Sequence, residues 1–274
     1  MTTAMRAWAL GGALSSSLAS GAAYSAVLDA EDVATVRDCY AANAPRKSSV
    51  LGIRLAVRNA AGEETESRFK LYWRRLPTGE RRVMIRFSAP EALAGTGLLV
   101  EGVRQKRPRV HLYLPDLGKP KRVTSREQLE GFLGRADLGL DEIGQILDPL
   151  GSERLRLIDG DAALDERAVW ILEARPEEDD PSRYARTVTF VDRELCVPLR
   201  AEFYDRTGKR TRLLRVDPAR VTREASSWIA REMVFQNGEG ENGARTTLRI
   251  DDVEVDIPLA PSLLTVRALE GIGG

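Results

Sequence analysis

The chain is poor in the groups that most catalysis needs, with one histidine and two cysteines among 274 residues. The histidine, His111, lies inside the apolar run Val110-His111-Leu112-Tyr113-Leu114 and reads as an outward-facing strand side chain. No nucleophile-elbow motif accompanies it, so a Ser-His-Asp constellation lacks its parts. One histidine and two distant cysteines are not a metal-binding cluster, and no metal is expected. No glycine-rich loop leads into a helix, since Gly95-Thr96-Gly97 precedes a strand; the helix-dipole route to binding a phosphate or nucleotide cofactor is therefore missing. Acidic pairs do occur at Asp141-Glu142, Glu177 to Asp180 and Asp251-Asp252. The run before Pro181 reads as a solvated loop, while a glycosidase pair far apart in sequence would be invisible at this stage.

Excess charge is absent too. Lys and Arg number 41 against 41 Asp and Glu, and a balanced chain lacks the field that steers a protein onto phosphate polymers, so no nucleic-acid partner is expected. Long apolar runs are missing as well. The uncharged stretch from Ala7 to Ala23 follows a single Arg6 and is diluted by Ser and Gly, too short for a membrane span of roughly 20 apolar residues. Its small residues instead match a secretory signal cleaved after Ala22, Ala23 or Ser25. No lipobox cysteine follows. The expected organisation is a signal over 1–25 and one domain over 26–274, working in the periplasm.

In that oxidising compartment Cys39 and Cys196 permit a disulfide. It would close a loop of about 160 residues, valued by a chain-entropy account near 5 kcal/mol; two buried free thiols are the alternative.

What the chain does have is alternation. Val33, Val36 and Tyr40 recur at helical spacing behind Asp29, Glu31 and Asp32, which predicts an amphipathic helix ending before Pro45. From residue 48 the period falls to two: Leu51, Ile53, Leu55 and Val57; then Phe69, Leu71 and Trp73; then Val83, Ile85 and Phe87, each set interleaved with more polar residues. Asn59–Gly62 and Leu76–Gly79 are the intervening turns, so these three strands form an antiparallel meander. In this reading Met84 and Arg86 fall on the solvated side. Further strands are predicted around Leu98, Leu112, Leu157, Ile171, Phe190, Phe203 and Leu214, then over Ile229 to Phe235 and Thr246 to Ile250. Two short helices are predicted between Arg126 and Leu147. About eleven strands exceed what one open sheet holds without curling. The expected class is mainly β, a strongly curved antiparallel sheet with short helices over it. Its one-sided apolar face would leave a hollow fit for a small apolar ligand; the plainer alternative is two sheets packed face to face.

A resemblance favours the hollow. Phe87-Ser88-Ala89-Pro90, Gly95-Thr96 with Leu98-Leu99, Leu112-Tyr113-Leu114-Pro115, Lys121-Arg122, and Phe132-Leu133-Gly134 running to Asp137-Leu138 and Asp141-Glu142 occur in an order that resembles the LolA/LolB-like outer-membrane lipoprotein-sorting proteins. Cys196-Val197-Pro198-Leu199, Phe203-Tyr204-Asp205 and Leu264 to Leu269 extend the resemblance downstream. Two departures stand out: His111 replaces an aromatic residue common in the family, and Arg135-Ala136 lengthen the glycine–aspartate stretch.

The resemblance implies an incomplete, half-open barrel capped by helices, without catalysis, that carries the acyl chain of a lipid or lipoprotein toward the outer membrane. An inner-membrane transporter as donor and an outer-membrane acceptor are the implied partners. A regulatory or accessory lipid-sensing module, bound to a membrane transporter or an anti-sigma factor, is the alternative. The residues expected to line the cup are Leu51, Ile53, Leu55, Phe69, Leu71, Trp73, Val83, Ile85, Phe87, Leu98, Leu112, Phe203, Met233 and Phe235. The lid is expected to come from the N-terminal helix and from Phe132, Leu138, Ile143 and Ile146.

Overall fold

The computed structural model describes residues 20–102, 108–124, 138–151, 154–177, 182–238 and 243–271. Phe132, most of the expected signal, the first of the two short helices, and residues 178–180 of the acidic run lie outside these.

The alternating sequence folds as one antiparallel sheet of thirteen strands that does not close into a barrel. The strands are β1 (Ser48–Arg58), β2 (Glu64–Arg75), β3 (Arg81–Ala89), β4 (Gly97–Glu101), β5 (Arg109–Tyr113), β6 (Lys121–Val123), β7 (Leu155–Leu164), β8 (Arg167–Ala174), β9 (Arg186–Asp192), β10 (Pro198–Tyr204), β11 (Arg210–Arg215), β14 (Glu232–Asn237) and β15 (Arg245–Val255). β12 (Val221–Glu224) and β13 (Ser227–Ala230) form a separate hairpin. The spatial order is β6-β5-β4-β3-β2-β1-β15-β14-β11-β10-β9-β8-β7. β1 pairs with β2 on one side and β15 on the other, joining an N-terminal meander to a C-terminal one.

The expected meander β1–β3 is present, with Leu51, Leu71 and Ile85 in register across it. The single strand expected over Ile229–Phe235 is two strands: β13 pairs with β12, and the chain breaks at Arg231 before β14 joins β15. Strand-length periodicity cannot reveal that break, because the change of partner is a long-range event.

Bulges bend the sheet by adding a residue to one strand. The one between β1 and β15 falls at Gly52/Ile53, and a Cβ on Gly52 would stand 3.0 Å from an Asp252 carboxylate oxygen. The concave face carries the main core, from Ile53, Leu55 and Phe69 to Phe203, Leu214, Phe235 and Leu248.

Helix α1 (Ser20–Asn43) covers one end of that face, its Val33 and Val36 packed with Leu150, Leu172 and Val191. It starts earlier than the expected 29–42, so the expected cleavage positions fall within it. A Cys39–Cys196 disulfide, spanning 157 residues with its Cα atoms 5.5 Å apart, ties α1 to the turn between β9 and β10. Helix α2 (Leu140–Leu147) lies over the middle of the same face, with Leu138 and Ile143 buried in the main core.

The outer face holds a correction. Met84 is not solvated: it is fully buried with Leu99 against Leu264 and Leu269. The C-terminal segment, a 3-10 turn over Pro261–Leu264 and helix α3 (Val266–Gly271), lies across β3 and β4 there. Arg86 donates to the Ala268 carbonyl at 2.6 Å and to that of Leu269, capping carbonyls near the end of α3. Gly97 has no room for a side chain, because a Cβ would approach Leu269 to 2.9 Å. The unbroken apolar run Leu98-Leu99-Val100 carried this signal, since a strand apolar on both sides is covered on both sides.

Candidate functional site

The concave face is two compartments. Under α2 the apolar side chains have closed on one another: Ile53, Leu55, Phe69, Leu71, Ile85 and Phe87 meet Leu138, Ile143 and Ile146 around a void of only about 30 Å³. Beside it, where α1, the α2 end, the start of β1 and the β12–β13 hairpin converge, a cavity of about 900 Å³ opens. Leu51, Trp73, Leu214, Val216, Ile229, Met233 and Ile250 make its apolar wall.

Of the residues singled out from sequence, Leu51, Trp73, Met233 and Ile146 therefore line the large cavity. Ile53, Leu55, Phe69, Leu71, Ile85, Phe87, Leu138 and Ile143 face the small void. Val83, Leu98, Phe203 and Phe235 are packed core, and Leu112 packs against it half-buried. The N-terminal helix, expected as part of the lid, brings Tyr40 and Ala41 to the cavity, residues not singled out from sequence; the segment following α2 (Asp148, Pro149, Leu150) was missed. The hairpin residues Trp228 and Ala230 were missed as well. These segments come together only through the fold.

A polar latch holds α2 down. Glu142, fully buried, turns back as the N3 residue to accept from the Gly139 backbone N–H at 2.8 Å. The same carboxylate accepts from Arg183 and from the Tyr184 hydroxyl, and stands 3.7 Å from the Arg212 guanidinium, which is 3% exposed on β11. Burial by itself would raise the Glu142 carboxyl, but Arg212, Arg183 and the Tyr184 hydroxyl together hold it below the usual carboxylate range. Burial, and then the Glu142 charge, push the Tyr184 hydroxyl well above the ordinary phenol value, so it remains a donor. Gln145 adds a hydrogen bond of 3.3 Å to Thr189 on the sheet.

His111 sits on the outer face in register with Leu99, its Nδ1 3.9 Å from Glu101. Burial lowers its pKa against the opposing pull of Glu101, away from the cavity. Among the described residues no group of three His, Cys, Asp or Glu side chains could hold a metal, and no helix is long and apolar enough to cross a membrane.

Comparison with known proteins agrees with this geometry. A family model described as that of an uncharacterized protein matches residues 79–271. No curated protein matches the chain significantly. A domain described as outer membrane lipoprotein-sorting from Vibrio parahaemolyticus superposes with a TM-score of 0.76 at 21% identity, over 89% of this chain and 99% of that one. A DUF1329 family protein from Desulfovibrio piger gives 0.74 at 22% identity, over 87% and 96%. A LolA superfamily protein from Nitrosomonas europaea gives 0.66 at 14%, over 86% and 97%.

Proposed function

Since the chain belongs to a family of uncharacterized proteins with the LolA-like fold, we propose that it is a periplasmic carrier for the acyl chain of a lipid or lipoprotein. It takes its load from an inner-membrane transporter and delivers it toward an outer-membrane acceptor, with no catalytic step. The observation that carries this reading is the cavity of about 900 Å³ on the concave side of a single half-open sheet. That volume is typical of small-ligand sites, and two sheets pressed together would leave none of it.

An acyl chain cannot cross water exposed. Each methylene removed from water contributes about 0.8 kcal/mol, so a dozen contribute about 10 kcal/mol before the cost of ordering the chain. Unloading then needs a movable cover. Helix α2 suits that role, because it is only eight residues long, its end borders the large cavity, and its apolar contact with the sheet is supplemented by a single buried carboxylate.

Trp73→Asp places a carboxylate in the wall of the large cavity, and Ala41→Trp fills part of it from α1. Both variants are expected to be exported, and lipid co-purifying with either should fall well below the wild-type amount. Undiminished lipid in both would refute the assignment of this cavity.

A further inference from the structure

The charged lining of the large cavity is mostly basic. Among the described residues Arg37, Arg46, Arg75 and Arg81 line it with one carboxylate, Asp148, in a chain whose charges balance as a whole. Arg75 and Arg81 lie directly opposite each other where β2 and β3 begin their turn, an arrangement of like charges that costs stability. Arg81 pairs with Asp148, and Arg37 donates to the Leu150 carbonyl at 3.3 Å. Arg46 and Arg75 are exposed. Burial, and then the Arg75 charge, lower the pKa of the Arg81 guanidinium.

The apolar wall is continuous with that rim. Trp73 and Arg75 are two apart on β2, and Val83 and Arg81 two apart on β3. Side chains two apart share a face about 7 Å from each other along the strand. The wall therefore runs in order from an apolar floor to a guanidinium rim.

We propose that the cavity's cargo is a phosphate-bearing acyl lipid. Its chain lies against Leu51, Met233 and Ile250, and its phosphate sits among Arg46, Arg75 and Arg81. At roughly 30 Å³ per methylene-sized group, the cavity of about 900 Å³ also has room for the chain. This rests on the carrier reading and narrows it, because the acylated terminus of a lipoprotein has no phosphate.

The test uses the full chain, an environment-sensitive apolar dye in the cavity, and three displacing lipids with one palmitoyl ester each: lysophosphatidate, lysophosphatidylcholine and monopalmitoylglycerol. The expected order is lysophosphatidate first, by about tenfold or more over monopalmitoylglycerol. That margin should shrink toward one in 1 M salt, where the screening length is only about 3 Å. Arg46→Gln with Arg75→Gln should remove most of the margin; both residues are exposed, so neither substitution strands a buried partner. Equal affinity for all three lipids, or a margin unchanged in the arginine variant, overturns the phosphate assignment and leaves the carrier reading standing. Failure of every lipid to displace the dye overturns the carrier reading itself.

Discussion

Replacing Glu142 with Gln keeps the shape of the side chain and removes its charge. Closed, the variant confines Arg212, 3% exposed and 5.1 Å from the Phe235 ring, without the carboxylate that offsets its burial. Arg183 is 40% exposed and can turn to water, so most of the loss falls on Arg212. Breaking a buried pair by removing one partner costs about 3–5 kcal/mol. Once α2 lifts, Arg212 faces the wetted cup and the penalty disappears, so the cost is specific to the closed state. Taking about 3 kcal/mol, the open population rises by roughly two orders of magnitude. Hydrogen exchange reads this directly: amides 143–147 should exchange about 100-fold faster in the variant. Amides of the β1–β2 ladder should keep their protection. The double variant Glu142→Gln/Arg212→Met, which removes both charges, should recover much of the closure. Exchange in α2 at the wild-type rate, or equal loosening of α2 and the β1–β2 ladder, would refute a local latch.

The latch also fixes a pH dependence. Because the folded Glu142 carboxyl lies below its ordinary value, its stabilisation is complete above the unfolded pKa of about 4.3 and disappears as pH falls through the lower folded value. Protection of α2 should thus be flat through neutral pH and fall only in stronger acid; a fall between pH 8 and 6 would contradict it. Removing the disulfide with Cys39→Ser/Cys196→Ser should lower stability by about 2–5 kcal/mol in urea titration, and an unchanged midpoint would mean α1 needs no tether. Leu269→Ala, which empties part of the outer cluster with Met84 and Leu99, should cost about 2–5 kcal/mol yet leave dye uptake by the cavity alone. Altered uptake would mean that the two faces communicate.

Strand alternation made most of the sheet readable, because a period of two with one apolar side admits few other structures. It failed in informative places. Met84 was assigned to water because its neighbours on that side, Arg82 and Arg86, are charged; Arg86 is there to hold the C-terminal segment that covers Met84. The hollow was legible as an expectation, but its position was not. Ile53, Leu55 and Phe87 carry the same pattern as Leu51 and Trp73, and only the seat of α2, fastened from Glu142 to Arg212 across 70 positions of chain, decides which are sealed and which are open. Arg212 itself reads as one more polar strand residue until its partner is placed opposite it. The rim arginines were equally silent, since Arg37 and Arg81 meet only when α1 crosses the end of the meander.

The central claim concerns what occupies the large cavity, and a native mass spectrum of the full chain, purified without detergent from the compartment it is exported to, addresses it directly. The account predicts a polypeptide carrying one adduct of phospholipid mass, removed by organic extraction and sharply diminished in Ala41→Trp. A spectrum of bare polypeptide alone, from protein that keeps its native fold, would contradict it.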